Sequence, residues 1–214
     1  ETEYLLVDCH YLGIHNVMAL RGDAMKEEKY FTPTKGGHSY ANELVTQITN
    51  MNKGQFLHEV IETDNKSDFC IGVAGYPEKH IEAPSMDSDI RRLKEKVDAG
   101  ADYVVTQMFF DNKRYFDFVE RAKQAGINVP IIPGIKPIAV KRHLQLLPQV
   151  FKLDIPDELV KAVEKCKTNQ DVRQVGIEFA IQQSKELMNY GVPVLHYYSM
   201  GKSDNIKKIA EAVF

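Results

Sequence analysis

The chain has 214 residues, 43% of them hydrophobic, which is enough apolar surface for one globular domain or a large part of one. Its 27 Lys and Arg residues nearly balance 30 Asp and Glu residues, a net charge of −3, so we expect neither nucleic acid nor a membrane surface as partner. No apolar run approaches the ~20 residues of a bilayer span, no signal peptide is visible, and the three cysteines are far apart, so we expect a cytoplasmic protein without a metal site.

The chain begins inside a predicted helix and then repeats one pattern, in which an amphipathic run is followed by a glycine and a short β-rich run. Glycine suits the residue after a helix because it adopts the left-handed backbone conformation at little steric cost. The glycines that we expect to end helices are Gly13, Gly100, Gly126 and Gly191.

Five strands are predicted, separated by helices. The strands lie near residues 15–20, 69–75, 103–109, 129–133 and 194–199. The helical stretches lie at residues 39–62, 85–100, 112–126, 139–149, 157–166 and 169–190. Apolar strands that alternate with helices favour a parallel sheet covered by helices, here as a single domain over residues 1–214.

Polar residues follow the predicted strands at the points where the strands end. In a parallel sheet these carboxyl ends share one edge, where ligand sites are built. The residues are Arg21, Gly22, Asp23, 76–80, Gln107, Asp111, Pro133, Gly134, Lys136, Tyr197, Tyr198 and Lys202.

Each of these polar residues also has a structural interpretation. Asp23 is suited to a turn or helix cap, His80 to a solvated loop, and Lys136 to a surface charge. Gln107 is harder to explain, because an amide between apolar neighbours must find partners or cost about 1–3 kcal/mol. We therefore expect a ligand in this region.

Familiar motifs for several site types are missing from the sequence. It contains no GxxxxGK[ST] loop, no GxGxxG after a strand, no His/Cys cluster spaced for zinc and no GxSxG elbow. An organic cofactor or substrate held by scattered strand-end groups is the remaining interpretation.

Motifs along the whole chain resemble those of the methylenetetrahydrofolate reductases, flavin enzymes with a (β/α)8 TIM barrel. The matching segments are ALRGD (19–23), SYANEL (39–44), YPEKHIEA (76–83), residues 89–111, IIPGI (131–135) and LHYYSMGK (195–202). The resemblance implies an α/β fold, here an incomplete barrel with five of eight βα units. With roughly 30 residues per unit, we expect about 90–100 residues upstream to be absent.

The resemblance also implies roles for individual residues. The FAD pocket would contain Arg21, Gly22, Asp23, Tyr40, Ala41, Tyr76, His80, Glu82, Ala83, Asp89 and Lys96. Gln107 matches the glutamine that binds the pterin, and Tyr198 and Lys202 match positions near the folate. Asp23 would be the catalytic carboxylate beside the flavin and the reacting carbon. Gly201-Lys202 departs from the Asn-Arg of many family members, which weakens the expected folate contact.

The activity implied is the reduction of 5,10-methylenetetrahydrofolate to 5-methyltetrahydrofolate, which feeds methionine synthesis. NADH or NADPH would give hydride to FAD, and the folate would then receive it as a cationic iminium that a carboxylate stabilises. We expect a homo-oligomer at full length. We expect the present chain alone to be inactive, since the acid that protonates the pterin belongs to the absent units.

The sequence leaves two other interpretations open. A (β/α)8 lyase or aldolase would use Lys136 or Lys202 to form a Schiff base. A non-enzymatic protein would use residues 21–23 as an adhesion tripeptide, or would serve only in subunit assembly.

Overall fold

The computed structural model describes residues 1–24, 28, 31–57, 66–201 and 203–214. The helices are α1 (Thr2–Tyr11), α2 (Ala41–Asn52), α3 (Met86–Asp98), α4 (Asn112–Gln124), α5 (His143–Phe151), α6 (Asp157–Lys165), α7 (Asn169–Asn189) and α8 (Asp204–Val213). The strands are β1 (Asn16–Ala19), β2 (Cys70–Gly75), β3 (Tyr103–Met108), β4 (Ile131–Ile135) and β5 (His196–Tyr197). No helix in the described ranges is both long and apolar enough to cross a membrane.

In the described part of the chain, the strands form one five-stranded parallel sheet in the order β1-β2-β3-β4-β5. In the first pair of strands Asn16 lies opposite Cys70, and in the last pair Gly134 lies opposite His196. Neighbours in sequence are therefore neighbours in the sheet, and helices connect them, as in a (β/α)8 barrel. The predicted fold class, an incomplete barrel of about five strands, is confirmed.

Several predicted boundaries are wrong. The fourth strand is Ile131–Ile135 instead of 129–133, and it runs through Pro133 and Gly134. The fifth strand is only His196–Tyr197 instead of 194–199, and the helix predicted over 139–149 is His143–Phe151. The helix predicted over residues 39–62 ends at Asn52, and residues 58–62 of that prediction lie outside the described residues. The helix α8 was not predicted.

Positive φ angles confirm the helix-ending role of the four predicted glycines, which are Gly13 (75°), Gly100 (118°), Gly126 (80°) and Gly191 (102°). At Gly100 a second constraint adds to the backbone angle. A Cβ there would lie 2.4 Å from the Thr49 hydroxyl oxygen, which itself donates to the Ala99 carbonyl at 2.9 Å. A side chain at position 100 would therefore displace the contact between α2 and the end of α3.

The chain divides into two compact units. The first contains Glu1–Ala74, Arg91–Val104 and Gly126–Pro130, and the second contains Gly75–Ile90, Val105–Ala125 and Ile131–Phe214. That residues 1–214 make a single domain stays a prediction.

Asn52, the last residue of α2, organises the first unit around the start of β2. Its side-chain oxygen accepts from the Phe69 amide at 2.9 Å and from the Ser67 hydroxyl at 2.7 Å, and its side-chain nitrogen donates to the Phe69 carbonyl at 2.8 Å. Polar atoms at the start of the strand thereby obtain partners without water. The buried apolar residues around them include Leu6, Val45, Ile48, Met51, Phe69, Ile71 and Val73.

The second unit has two apolar clusters. One contains Met108, Phe110, Ile138, Leu147, Leu153, Leu159, Val163 and Val172. The other contains Phe109, Tyr115, Ile135, Ile177, Ala180, Leu187 and Ile209. Their members come from strand ends and from α4 to α8, so the long helix α7 contributes to both clusters.

Gly176 of α7 lies against the main chain of the loop after β4. A Cβ at this position would be 1.9 Å from the Ile138 carbonyl oxygen and 2.8 Å from its carbonyl carbon. Backbone atoms cannot rotate away as a side chain can. The close approach of helix and loop therefore depends on the missing Cβ.

Gly176→Ala is expected to lower the free energy of unfolding by about 1–3 kcal/mol, because the overpacking outweighs the better helix propensity of alanine. Urea unfolding of the purified protein measures the change. Arg173→Ala, at an exposed position of the same helix, is the control. Equal stability of the two variants would contradict the close-packing argument.

Candidate active site

Arg21, Gly22 and Asp23 follow β1 in the first unit and pack in part against Phe31. The Arg21 guanidinium carbon lies 5.0 Å from the centre of the Phe31 ring, and a Cβ on Gly22 would lie 3.7 Å from that ring. Asp23 is exposed, and within the described residues its carboxylate forms no hydrogen bond or ion pair. Phe31 thus supports Arg21 and Gly22, and a cap or turn role of Asp23 toward the following residues stays a prediction.

Tyr40 and Ala41 stand at the beginning of α2. The Glu43 carboxylate accepts backbone N–H groups from Ser39 at 2.7 Å and Tyr40 at 3.3 Å, which fixes the entry into the helix. The Tyr40 ring is 53% exposed, and the Arg92 guanidinium carbon lies 5.8 Å from its centre. The ring is therefore available at the surface of this unit while its backbone is fixed.

Lys96, in the last turn of α3, has a partner in the sheet. Its ammonium group donates to the carbonyl of Ala74, the last residue of β2 in the first unit. The bond holds the amine beside the carboxyl end of β2. A lysine ammonium carries a full positive charge and three donors, so the group stands beside this strand end as a cation.

The segment from Tyr76 to Ala83, in the second unit, forms a compact turn after β2. The Lys79 amide donates to the Tyr76 carbonyl at 3.0 Å, and Lys79 takes the left-handed conformation with φ of 74°. Its ammonium group donates to the carbonyls of His80 at 3.1 Å and Ala83 at 2.5 Å. The Lys79 side chain therefore holds the later part of this turn, from His80 to Ala83, in place.

His80 is oriented by two backbone hydrogen bonds. Its amide donates to the Asp89 carboxylate at 2.8 Å, and its ring Nδ1 accepts from the Glu82 amide at 3.1 Å. In the neutral imidazole Nε2 is thus the nitrogen that carries the proton. The ring centre lies 4.6 Å from that of Tyr76, edge to face at 73°. His80 is thus a partly exposed loop residue whose ring and amide are both oriented by hydrogen bonds.

Glu78, in the same turn, carries an incompletely satisfied carboxylate. One oxygen accepts from the Asp154 amide at 2.7 Å, and the other is buried without a hydrogen-bond partner among the described residues. Burial raises the pKa of this carboxyl, and the charges of Asp154 and Asp111 act in the same direction. Asp111 itself caps α4 by accepting from the Lys113 amide at 3.0 Å, which is a structural role.

Thr106, Gly134 and Tyr198 join the ends of β3, β4 and β5. The Tyr198 hydroxyl donates to the Thr106 carbonyl at 2.8 Å, and the Gly134 amide donates to the Thr106 hydroxyl oxygen at 2.9 Å. A Cβ at Gly134 would lie 2.2 Å from the Thr106 carbonyl oxygen and 2.6 Å from the Tyr198 ring. Only glycine at position 134 lets the tyrosine cross the strand in this way.

Gln107 follows Thr106 in β3, and only the oxygen of its side-chain amide has a hydrogen-bond partner in the described residues. Its side-chain oxygen accepts from the Met108 amide at 3.0 Å, and its side-chain nitrogen has no partner among the described residues. The side chain is half-buried. That a ligand supplies the partner of this nitrogen stays a prediction.

Lys136 lies close to Tyr198 in the second unit and is buried, contrary to expectation. Ile135 and Tyr197 are the last paired residues of β4 and β5, so Lys136 and Tyr198 directly follow the ends of two neighbouring strands. Lys136 is only 9% exposed and has no hydrogen bond or ion pair within the described residues, so its interpretation as a surface charge is wrong.

Burial sets the ionisation of the groups around Lys136. It lowers the pKa of Lys136 and of His196 and raises that of Tyr198. The pKa of His143 is lowered first by burial and then by the Lys136 charge. No signal in the sequence distinguished Lys136 from an exposed lysine, because its burial depends on the register of β4 and β5.

The other residues predicted for the site differ in burial. Glu82 is exposed, Ala83 is half-buried, and the Ala83 amide donates to the His80 carbonyl at 3.0 Å. Asp89 is 9% exposed at the first turn of α3. Lys202 lies outside the described residues. In the first unit the structure brings together Arg21 and Gly22, and in the second it brings together Tyr76, His80 and Asp89.

A cavity of about 250 Å³ in the first unit lies away from these residues. It is lined by Glu3, His38, Glu43, Thr46, Gln47, Asn50, Gln55, Phe56 and Leu57. His38 Nε2 lies 2.6 Å from the Gln47 side-chain oxygen, while the Gln47 nitrogen is buried without a hydrogen-bond partner in the described ranges. None of the predicted site residues lines this cavity.

The parallel strands with helical connections define a protein of the β/α-barrel class, and its second unit carries the Gln107 amide, the Tyr76 and His80 rings and the buried Lys136 at or after its strands. The sequence places the chain more narrowly, since residues 1–213 match the family model described as methylenetetrahydrofolate reductase. The chain belongs to the methylenetetrahydrofolate reductase family.

Individual relatives agree with this assignment. The chain is 39% identical over 198 residues to "Methylenetetrahydrofolate reductase (NADH) 1" of Arabidopsis thaliana, with 88% of this chain and 31% of the relative covered. It is 35% identical over 194 residues to "5,10-methylenetetrahydrofolate reductase" of Escherichia coli, with 90% and 58% covered. The chain thus spans about a third of the plant relative and somewhat over half of the bacterial one.

One solved structure is similar at 21% identity and a TM-score of 0.46, covering 68% of this chain and 52% of the other. It is described as an uncharacterized protein from Clostridium thermocellum that binds two copies of 5-methyl-5,6,7,8-tetrahydrofolic acid.

Asp89→Ala is expected to raise the hydrogen-exchange rate of the His80 amide by about tenfold or more, since a hydrogen bond to a charged group contributes roughly 1.5–3 kcal/mol. Asp89→Asn keeps an oxygen acceptor and should keep most of the protection. Native-state exchange followed by mass spectrometry measures both variants. Equal rates in the wild type and Asp89→Ala would contradict the role of Asp89 in holding the turn.

Proposed function

We propose that the protein carrying this chain reduces 5,10-methylenetetrahydrofolate to 5-methyltetrahydrofolate, with FAD as bound cofactor and NADH or NADPH as hydride donor. The observation that carries the proposal is the Gln107 side-chain nitrogen, a half-buried donor without a protein partner in the described residues, on a chain of this family. The E. coli relative is named for the same substrate, and the plant relative for NADH.

Gln107 has the chemistry to recognise a pterin. The pterin ring presents a carbonyl oxygen and ring nitrogens that accept hydrogen bonds, and the Gln107 nitrogen donates. Its oxygen is already held by the Met108 amide, which fixes the amide orientation and leaves the nitrogen outward. A site organised in this way loses little rotamer entropy when the ligand binds.

Residues of the second unit also fit a flavin. FAD supplies a two-electron carrier between nicotinamide and folate. Tyr76 and His80 present an aromatic pair, and the His80 Nε2–H is a donor suited to a cofactor oxygen. In the first unit Arg21 and Lys96 are the cations suited to its phosphates. The proposed set is completed by Gly22, Asp23, Tyr40, Ala41, Glu82, Ala83 and Asp89.

Asp23 is proposed as the catalytic carboxylate. Its side chain is exposed and forms no hydrogen bond or ion pair in the described residues, so an approaching cation finds an available negative charge. A negative charge beside the folate favours its iminium form, which is the form that accepts hydride. The group acts by charge and stays unmodified.

Other properties complete the proposal. The product would feed methionine synthesis, and the full-length protein would be a cytoplasmic homo-oligomer. Tyr198 and Lys202 are proposed to contact the folate outside its pterin ring. The present chain by itself is proposed to be inactive, so measurable folate reduction by residues 1–214 would overturn that part.

The test uses the full-length protein, which should be yellow with absorbance near 450 nm and should oxidise NADH or NADPH with either menadione or methylenetetrahydrofolate. Asp23→Asn is expected to lower the folate reaction about 10²–10³-fold, the magnitude typical of removing one electrostatic contact to a transition state. It should leave the menadione reaction within a few-fold, because that acceptor forms no folate cation.

Asp8→Asn, an exposed carboxylate on α1, is the matched control and should leave both reactions unchanged. A colourless, inactive full-length protein would overturn the proposed function. Equal losses in both reactions of Asp23→Asn would overturn the role given to Asp23.

The burial of Lys136 favours a second candidate function, a (β/α)8 lyase or aldolase that forms a Schiff base. A desolvated amine with a lowered pKa and no partner in the described residues is more often neutral, and the neutral amine is the nucleophile. The family match makes the reductase the first choice.

Borohydride reduction in the presence of carbonyl substrates separates the two functions. The reductase is expected to give no adduct, whereas a lyase would give a stable secondary amine at Lys136. Lys141, an exposed lysine whose ammonium donates to the Glu164 carbonyl at 3.0 Å, is the internal comparison. Selective trapping at Lys136 in peptide maps would favour the lyase.

A further inference from the structure

Three residues that are far apart in sequence meet at the amino ends of β1 and β2. His10 lies in the last turn of α1, His15 directly precedes β1, and Asp68 stands two residues before β2. One ligand atom from each of these residues lies within 4.8 Å of the others. All three belong to the first unit, and Arg21 to Asp23 follow the opposite end of β1.

The distances suit a small cation. His10 Nδ1 lies 3.3 Å from the Asp68 Oδ1 atom, and His15 Nδ1 lies 2.5 Å from the same oxygen. Ligands at about 2.0–2.1 Å in a tetrahedral zinc site are about 3.3–3.4 Å apart. The first pair already meets this spacing, and the second pair needs to open by less than about 1 Å.

The His10 ring nitrogen is also poorly satisfied by the protein. Its Nδ1 atom is buried and, although Asp68 Oδ1 lies 3.3 Å away, it has no hydrogen-bond partner within the described residues. The rings of His15 and Phe69 enclose it edge to face, with centroids 5.7 and 6.0 Å away. A buried polar atom without a partner costs about 1–3 kcal/mol, which a coordinate bond would offset.

We propose that His10, His15 and Asp68 form a zinc site that joins α1 to the starts of β1 and β2. Two imidazoles and one carboxylate are ligands that Zn²⁺ accepts, with water as the fourth, whereas Mg²⁺ and Ca²⁺ prefer oxygen. Asp68 is largely exposed, so the ion has a path from solvent and the carboxylate can rotate to open the short contact. The ion would stabilise the amino ends of the strands, with no part in hydride transfer.

The test uses the untagged, full-length protein after chelator treatment. Competition with a chromophoric indicator should show one Zn²⁺ per chain with a dissociation constant in the micromolar range or below, and Zn²⁺ should raise the melting temperature because it binds only the folded form. His10→Phe keeps the ring packing, and Asp68→Asn keeps an acceptor for His15. Each is expected to weaken zinc binding at least tenfold.

Asp98→Asn, an exposed carboxylate at the end of α3 with the same change in charge, should bind Zn²⁺ as the wild type does. Unchanged affinity in both ligand variants, or no zinc bound by the wild type at millimolar concentration, would overturn the proposal. Circular dichroism shows whether each variant folds, and Asp68→Asn supplies the result if His10→Phe does not. Flavin content and folate reduction are independent readouts, so failure of the proposed function leaves this test intact.

Discussion

The second unit depends on the missing side chain of Gly134. Without a Cβ at this position, the Tyr198 ring reaches across β4 and its hydroxyl donates to the Thr106 carbonyl. The Gly134 amide in turn reaches the Thr106 hydroxyl oxygen. Buried Thr106 thereby joins β3 to β4 and to the residue after β5. These bonds also hold the backbone of Gln107, the next residue of β3. The position of the proposed pterin contact follows from this packing.

In the same unit, hydrogen bonds between residues close in sequence position the polar atoms of the turn after β2. Lys79 closes the turn after β2, the Asp89 carboxylate holds the His80 amide, and the Glu82 amide sets the His80 tautomer. These contacts use backbone groups of the turn itself, so the geometry exists before a ligand arrives. Preorganisation of this kind lowers the entropic cost of binding and keeps donors aimed where charge develops.

The order of strands and helices was predictable because it rests on local signals, namely apolar runs and glycines such as Gly100 that tolerate positive φ. Boundaries were less predictable, since the start of β4 depends on which residues join the ladder. The burial of Lys136 and the meeting of His10 with Asp68 depend on register and on contacts between distant segments. A single sequence carries no direct signal for either.

Gly176 links the long helix α7 to the loop that carries Lys136. Because that helix rests on the Ile138 main chain without an intervening side chain, neither element has room to slide past the other. A one-residue insertion between Lys136 and Ile138 would therefore disturb the packing of the whole helix α7, which has 21 residues. Length changes in this connection should be far less tolerated than changes of residue type.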